Sequence, residues 1–468
     1  MRPPPEAIGA WKILFLHLPQ LSRDWSFQST TAQQSCVRID LENGRTNFRD
    51  LIRDGEVHSS VYTDPGIFKR EMVKLFHSRW LLLAHESQIA QPGAFVTGSL
   101  GNIPVACVRG QDGNMRTFIN RCPHRGAQVF QGRSGQVTHL MCPYHGWTFE
   151  LDGRLSWVPL REEYAASACD RLHDLTQVGA TESYRGFIFA CLETPSIGLL
   201  AYLGHFKTVI DDLVDRSPSG TLYCSPITLR HKYRANWKLT LENLNDTLHA
   251  RVAHAAAAKA AQVVSKKFAG GESDQTLGMM MANAKPLKAF SELTLVTERG
   301  GHSYFGAHMP STYGDLQSAY MELLVTAKGP EEARRIVGVE RHVAILYPGS
   351  SWHARYQTVR IIQPLAPDLT EVIGFVFRLE GAPGGVLQSA LNYCNPSTSA
   401  FSSVITDDLE IYEGIQRSAK EAPGWLQIGR QTGCRADAPG TGSYAATSEA
   451  YIRNQYHSWL EAVCGDDQ

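Results

Sequence analysis

Two short segments, CPHRG at residues 122–126 and CPYHGW at residues 142–147, determine how this chain is interpreted. Each segment contributes one thiol and one imidazole, and each contains a proline and a glycine, which favour tight loops. The four side chains concerned are Cys122, His124, Cys142 and His145. The pattern predicts two facing loops whose side chains converge on one metal site.

The pairing of unlike ligands helps to identify the metal. Tetrahedral zinc also accepts two Cys and two His, but zinc fingers usually place like ligands together along the chain. Here each pair is mixed, which is typical of a Rieske [2Fe–2S] cluster with two Cys on one iron and two His on the other. Such a cluster suits electron delivery to an oxygen-activating iron, because imidazole ligands raise its reduction potential. We predict a Rieske cluster, with a zinc site or no metal as the alternatives.

A second set of candidate ligands lies in the run ENLNDTLHARVAH at residues 242–254. Asp246 and His249 are three residues apart, so one helix presents them as neighbours. His249 and His254 are five apart and would diverge by roughly 140° on a regular helix. For both histidines to bind one metal, the helix must deform or end near residues 250–253.

A pair of histidines alone more often belongs to a surface or to helix packing than to a metal site. A Rieske cluster needs an electron acceptor, however, and a non-haem Fe(II) site takes two His and one carboxylate. The carboxylate must come from elsewhere, and Asp407 and Asp408 are candidates in the run ITDDLEIYEGIQ at residues 405–416. Carboxylates also stabilise helix N-termini, so one of the two can cap the helix while the other binds metal.

Size and composition narrow the function classes. The chain has 468 residues, a hydrophobic fraction of 43% and a charged fraction of 19%, ordinary values for a globular protein. A formal charge of -1 gives no electrostatic case for nucleic acid or a membrane surface. The early apolar run at residues 13–18 is too short to span a membrane and has no cleavage site after it. Ten scattered cysteines do not predict a disulfide scaffold, so we expect free thiols in a reducing cytoplasm.

The pattern along the chain predicts an α+β protein with three parts. Residues 1–63 form an N-terminal extension that is partly irregular. Residues 64–197 form a small antiparallel β domain, with tight turns at Asp112-Gly113 and Asp152-Gly153. Residues 198–468 form a larger catalytic domain with an antiparallel sheet packed by helices, including one helical stretch from Trp237 to about Val264.

Together these residues resemble the large (alpha) subunit of Rieske non-haem iron aromatic-ring-hydroxylating oxygenases, from about residue 64 to 463. The resemblance also includes Asn236-Trp237-Lys238 and the ENxxDxxHx4H run. It implies that the four residues above hold the [2Fe–2S] cluster. It also implies that the mononuclear iron is held by His249, His254 and Asp408.

The resemblance separates the two adjacent aspartates and assigns a role to a third. With Asp408 as the ligand, Glu413 and Gln416 fall at the family's offsets of five and eight. Asp246 matches the family's bridging aspartate, which would join His145 of one subunit to His249 of its neighbour. Two departures, Leu248 where an aromatic is common and Gly93-Ala94 where Gly-Asp is common, leave the subfamily open.

The resemblance further implies the partners and the reaction. NAD(P)H would reduce a partner reductase, with or without a ferredoxin, and the subunits would form a homotrimer or an α3β3 assembly with a small beta subunit. O2 would hydroxylate an aromatic substrate. The layout near Glu449 and Arg453 resembles salicylate-, phthalate- and benzoate-type members, so we expect an aromatic carboxylate, with Arg360 or Arg341 as a candidate partner. An unsubstituted arene, an aromatic amine, oxidative demethylation, a pure electron carrier and a zinc-binding protein are the alternatives.

Overall fold

Short antiparallel strands build the part of the chain that carries the two cysteine–histidine segments. This computed structural model describes residues 47–465 apart from 165–171, 268–274, 307–315, 339–340, 400–401, 403 and 432–439, so most of the predicted N-terminal extension lies outside it. The strands are, in chain order, β1 (Ile52–Arg53), β2 (Glu56–His58), β3 (Leu81–His85), β4 (Ala94–Leu100), β5 (Ile103–Arg109), β6 (Met115–Ile119), β7 (Ser134–Gln136), β8 (Leu140–Met141), β9 (Thr148–Phe149), β10 (Leu155–Trp157), β11 (Ala180–Tyr184) and β12 (Phe187–Cys191).

These strands form small sheets joined by the predicted turns. Strands β4 to β7 make a four-stranded sheet, β8 to β10 a three-stranded sheet, and β3, β11 and β12 another. Gly113 joins β5 to β6 and Gly153 joins β9 to β10, with φ of 79° and 90°. Because positive φ is unfavourable for residues with a Cβ, glycine is the residue suited to both positions. The predicted turns are confirmed.

An eight-stranded antiparallel sheet dominates the second part of the chain. Its order is β13-β19-β18-β17-β16-β15-β14-β21. The strands are β13 (Leu222–Tyr233), β14 (Thr294–Thr297), β15 (Ser303–Gly306), β16 (His342–Leu346), β17 (Ser350–His353), β18 (Thr358–Ala366), β19 (Leu369–Leu379) and β21 (Gly442–Ala445); β20 (Trp425–Gln427) instead pairs with β2. The α+β class, with an antiparallel sheet packed by helices, is confirmed.

The α-helices surround these sheets. They are, in chain order, α1 (Ser60–Thr63), α2 (Pro65–Glu71), α3 (Leu199–Leu203), α4 (Lys207–Asp215), α5 (Trp237–Leu244), α6 (Thr247–Ala253), α7 (Ala255–Lys267), α8 (Gln275–Ala282), α9 (Leu287–Ser291), α10 (Leu316–Lys328), α11 (Pro330–Gly338), α12 (Gly384–Thr398), α13 (Ile405–Glu421) and α14 (Ala450–Cys464). Within the ranges described above, no helix is long and apolar enough to cross a membrane.

The two faces of the large sheet have different surroundings. One face carries Trp352 and Phe377, which share a buried hydrophobic core with Phe187 and Phe189 of β12. The rings of Phe187 and Trp352 lie 4.6 Å apart. The opposite face packs against α12, since Val376 of β19 forms a small cluster with Ala390 and Cys394 of that helix. We call this second side the helix-covered face.

A buried ion pair ties α5, which leads into the ENxxD run, to two other helices. Glu71 of α2 is fully buried and Lys238 of α5 is 3% exposed. Lys238 Nζ lies 2.5 Å from Glu71 Oε1. The indole N–H groups of Trp237 and Trp459 also donate to this carboxylate, at 3.0 and 2.8 Å. The carboxylate is therefore well compensated, although it lies out of contact with water.

Removing the Lys238 ammonium group alone should strongly reduce the stability of the fold. We expect Lys238→Ala to lower the free energy of unfolding by about 3–5 kcal/mol, because it leaves the Glu71 charge buried without its partner. Glu71→Gln combined with Lys238→Met should lose much less, since no charge is then buried. Arg335→Ala, which breaks an exposed pair with Glu332, is the control and should change stability by about 0–1 kcal/mol. Urea unfolding measures all three, and equal losses for the single and double variants would contradict the argument.

Candidate metal centres

The two cysteine–histidine segments fold into matching loops. The backbone N–H of Cys122 donates to the carbonyl of Ala127 at 2.7 Å, and the N–H of Cys142 donates to the carbonyl of Trp147 at 2.8 Å. Each loop therefore spans six residues, although one motif is C-x-H and the other C-x-x-H. A glycine in the left-handed region completes each loop, Gly126 with φ of 78° and Gly146 with φ of 71°.

The side chains of these loops converge as the sequence predicts. Cys122 and Cys142 are 1% and 2% exposed, and the rings of His124 and His145 have centroids 4.5 Å apart. The Nδ1 atoms of both histidines are buried and accept or donate no hydrogen bond within the described chain. Buried ring nitrogens without partners are energetically unfavourable, so the arrangement fits a group that would be bound through them. Two thiols and two Nδ1 atoms are the donor set of a Rieske [2Fe–2S] cluster.

Burial favours the protonated form of the Cys122 thiol when no metal is bound. Burial raises the pKa of the Cys122 thiol to about 11, and the adjacent Cys142 thiol adds to the rise. Backbone N–H groups of His124 and Arg125 act in the opposite direction. Because thiolates are the metal-binding form, metal binding here would release protons.

The helix that carries His249 ends at Ala253, immediately before His254, as the five-residue spacing of the two histidines requires. The single helix expected from Trp237 is divided into α5, α6 and α7. Asp246 begins α6 as its N-cap, and His254 lies between α6 and α7 with φ of -98° and ψ of 18°. This break lets His254 turn toward the same point as His249, and the predicted deformation near residues 250–253 is confirmed.

Three side chains from α6, α13 and the break between α6 and α7 meet in a candidate mononuclear centre. His249, His254 and Asp408 each offer one ligand atom, and these atoms lie within 4.8 Å of one another. Asp408 Oδ1 lies 3.4 Å from His254 Nε2 and 3.7 Å from His249 Nε2. Burial raises the pKa of the Asp408 carboxyl, while the two imidazoles oppose the rise. This donor set fits a site with two histidines and one carboxylate, the type that leaves positions open on Fe(II).

The two adjacent aspartates have different surroundings. Asp408 is 4% exposed and faces both histidines. The Asp407 side chain is 39% exposed, and its Oδ2 lies 3.3 Å from His254 Nδ1, on the far side of the ring. Neither residue is the N-cap of α13, which is Val404. Asp407 therefore lies where its carboxylate can fix the orientation of the His254 imidazole, a role that the sequence argument did not assign to it.

Other residues near the centre also went unpredicted. Asn243 Nδ2 donates to Asp408 Oδ1 at 3.3 Å. Arg430, from the segment after β20, brings its Nη2 to 3.5 Å from Asp246 Oδ1. No local motif marks Arg430, because its position depends on pairing between distant parts of the chain. Asn243 is the second residue of the run at 242–254, and its place in that run is the one feature of the sequence that could have pointed to it.

Asp246 retains an unused oxygen. Its Oδ1 accepts the backbone N–H of Leu248 at 2.8 Å, which caps α6. Its Oδ2 has no partner in the part of the chain that the structure describes, and its side chain is 26% exposed. The buried Nδ1 of His249 likewise has no hydrogen bond there.

Comparisons with known proteins match both parts of the chain that carry these candidate centres. Residues 79–176 match the Rieske [2Fe-2S] domain, and residues 221–465 match the ring hydroxylating alpha subunit catalytic domain. The chain is 32% identical to the alpha subunit of toluate 1,2-dioxygenase from Pseudomonas putida, over 67% of this chain and 68% of that protein. It is 29% identical to the alpha subunit of biphenyl 2,3-dioxygenase from Rhodococcus jostii, over 89% and 90% of the two chains.

A solved structure matches the fold. Naphthalene 1,2-dioxygenase from Rhodococcus sp. bound to indole superimposes with a TM-score of 0.71 at 24% identity, covering 92% of this chain and 98% of that one. The fold described above is therefore shared with that structure.

Proposed function

This chain belongs to the family of ring-hydroxylating oxygenase alpha subunits, and on that premise we propose that it hydroxylates an aromatic carboxylate with O2. The family uses a Rieske [2Fe–2S] cluster and a mononuclear iron. The observation that carries the proposal is the meeting of His249, His254 and Asp408 around one point, in a chain that also contains a segment fitting the cluster.

The two cofactors would be held by residues from both motifs. Cluster ligands would be Cys122, His124, Cys142 and His145. His249, His254 and Asp408 would hold the mononuclear iron. When bound, the cluster supplies single electrons and the Fe(II) supplies open positions for O2.

The surrounding side chains would keep the iron ligands in position. Asp407 Oδ2 is placed to accept the Nδ1–H of His254, which would leave Nε2 free to face the metal. The amide of Asn243 donates to Asp408 Oδ1 and restrains that carboxylate. Such outer contacts commonly affect metal affinity by about 10–100-fold.

Electrons would reach the iron across a subunit boundary. We propose that Asp246 accepts hydrogen bonds from His249 of its own chain and from His145 of the partner subunit. The unused Oδ2 of Asp246 and the unpartnered Nδ1 of His249 support this role. A homotrimer or an α3β3 assembly would supply the second chain. An NAD(P)H-dependent reductase, directly or through a ferredoxin, would supply the electrons.

Two observations support an aromatic carboxylate as the substrate: the substrate named for a similar enzyme, and the positive charge of an arginine on the large sheet. Toluate, the substrate named for the 32% identical relative, is an aromatic carboxylate. The helix-covered face of the large sheet also carries a guanidinium, that of Arg360. Arg341, the other candidate from the sequence, is committed to an ion pair with Asp212. Arenes without a carboxylate and N-methylated aromatic amines are the alternatives for the same chemistry.

Oxygen consumption over a substrate panel tests the proposal. We expect the purified protein with a surrogate reductase to consume O2 with benzoate, toluates or salicylate and to release a hydroxylated product. Benzene, biphenyl, aniline and an N-methylaniline are the comparison substrates. An iron count per chain accompanies the assay, since an electron carrier would hold only the cluster irons and a zinc protein none. Turnover of arenes with none of the acids would overturn the substrate class.

A further inference from the structure

We propose that Arg360, with Ser351 and His231 beside it, forms a subsite that binds the carboxylate of the substrate. The inference rests on the proposed function, because it assumes that the substrate is an aromatic acid. It adds the residues that would discriminate such acids from uncharged arenes.

Strand register places the three side chains on the helix-covered face. Arg360 of β18 lies directly opposite Ser351 of β17 on one side and Gly374 of β19 on the other. Directly opposite residues in an antiparallel pair point to the same face, with Cβ atoms about 4.5–5.5 Å apart. His231 of β13 lies opposite Val372 of β19, two residues from Gly374, and so points to the same face.

The same face looks toward the helix that carries the iron ligand Asp408. Tyr233 of β13 lies two residues from His231, and its ring is 5.4 Å from that of Tyr412. Tyr412 and Asp408 are four residues apart on α13, so they share one side of the helix. The Tyr412 hydroxyl is also close enough to both Asp408 and Arg360 for their charges to act on its pKa in opposite directions. Asp408 and Arg360 therefore both lie close to the Tyr412 ring.

Arg360 differs from other arginines of this region in having no acidic partner. Arg230 of β13 pairs with Glu371, at 3.6 Å, and Arg378 of β19 pairs with Glu380, at 2.7 Å. Arg360 is half-buried, yet it forms no hydrogen bond or ion pair with any residue in the described ranges. A guanidinium is always charged, and withdrawing it from water without a counter-charge is unfavourable.

Two neighbouring polar groups are also left without partners. The Ser351 side chain is 1% exposed and His231 is 7% exposed. Ser351 Oγ and His231 Nδ1 form no hydrogen bond within the described part of the protein. Burial and the nearby Arg360 lower the pKa of His231 to about 4, so this imidazole is neutral at neutral pH. Because buried polar groups are normally hydrogen-bonded, these two atoms indicate a polar ligand at this position.

The chemistry of the three groups matches a carboxylate attached to a ring. The guanidinium offers parallel N–H donors that suit the two oxygens of a carboxylate. The Ser351 hydroxyl can donate a further hydrogen bond without adding charge, while neutral His231, whose ring N–H is directed to the Thr398 backbone, lines the subsite without a charge of its own. Nearby, the rings of Tyr356 and Tyr393 stack with centroids 3.5 Å apart. Arg360 is close enough to this pair to act on the pKa of Tyr393, so the cation lies among aromatic side chains.

Ligand binding to the purified holoprotein tests the subsite. Benzoate and its uncharged analogue benzamide are titrated calorimetrically into wild type, Arg360→Gln and the control Arg378→Gln. We expect Arg360→Gln to weaken benzoate binding by about 10–100-fold, as for the loss of charge-assisted hydrogen bonds, and to leave benzamide binding unchanged. Arg378→Gln, at an arginine that is already paired with Glu380, should leave both affinities unchanged. The cluster spectrum and iron content of each variant confirm that it is folded.

Each outcome separates the subsite from the proposed function. If wild type oxidises aromatic acids but Arg360→Gln binds benzoate as tightly as wild type, the subsite is wrong and the function stands. If wild type neither binds benzoate nor consumes O2 with any aromatic acid, the proposed substrate class itself fails. Should Arg360→Gln not fold, Arg360→Lys and Ser351→Ala take its place. Unchanged benzoate affinity in both of these replacements would likewise overturn the subsite.

Discussion

Asp408→Ala should lose the mononuclear iron while the visible spectrum of the [2Fe–2S] cluster remains. The variant removes the buried carboxylate that lies 3.4 Å from His254 and 3.7 Å from His249. Two imidazoles alone would hold Fe(II) poorly, so we expect turnover to fall by more than the roughly 10–100-fold cost of an outer contact. Metal analysis before and after dialysis against a chelator measures the iron, and absorption spectroscopy measures the cluster.

Asp407→Ala is the matched control, because it removes the adjacent carboxylate from the same helical turn. Asp407 contacts the far nitrogen of His254, so its loss should weaken iron binding by about 10–100-fold without removing a ligand. Excess Fe(II) should therefore restore iron content and turnover in Asp407→Ala but not in Asp408→Ala. The reverse pattern would move the ligand assignment to Asp407.

Asp246→Ala should retain both metal centres and lose turnover. The argument is that Asp246 connects the two centres across subunits, so its removal interrupts electron transfer while both ligand sets remain. We expect turnover to fall by more than about 100-fold, the upper end of the usual cost of an outer contact. In a single-turnover experiment, a pre-reduced cluster should stay reduced when benzoate and O2 are added, whereas the wild-type cluster should be reoxidised.

A second variant separates this role from helix capping. Asp246 also caps α6, the helix of His249, and losing a cap costs about 0.5–2 kcal/mol. Asp246→Asn keeps an acceptor for the Leu248 N–H but removes the charge and one acceptor oxygen. If the bridge is correct, Asp246→Asn should have normal thermal stability and yet low turnover. Normal turnover in Asp246→Ala would rule out the bridge.

Local patterns were sufficient to predict the parts of the structure that depend on near neighbours. The mixed Cys/His pairs predicted loops, and the five-residue spacing of His249 and His254 predicted a break in the helix. Both predictions depend on backbone geometry within a few residues. The tight turns predicted at Asp112-Gly113 and Asp152-Gly153 depend on local backbone geometry in the same way.

Features that depend on distant pairing could not be predicted in this way. The order of the eight-stranded sheet decides that Ser351 lies beside Arg360, and no spacing along the sequence encodes it. The contact between Asp407 and His254 Nδ1 depends on how α13 packs on α6. The sequence alone therefore suggested for Asp407 only a role in stabilising the start of its own helix, or in binding the metal in place of Asp408. The ligand roles of individual residues, and the predicted boundaries at residues 63 and 197, remain predictions.

The hydrophobic core that joins β12 to the large sheet bears on how the protein can be engineered. Phe187 and Phe189 lie before residue 197, whereas Trp352 and Phe377 lie well after it, and all four belong to one buried cluster. A fragment ended at residue 197 would expose aromatic side chains that the rest of the chain normally covers, and such patches favour aggregation. The Rieske segment is therefore not a transferable module: grafting it onto another oxygenase would require that enzyme's sheet to provide the complementary aromatic surface.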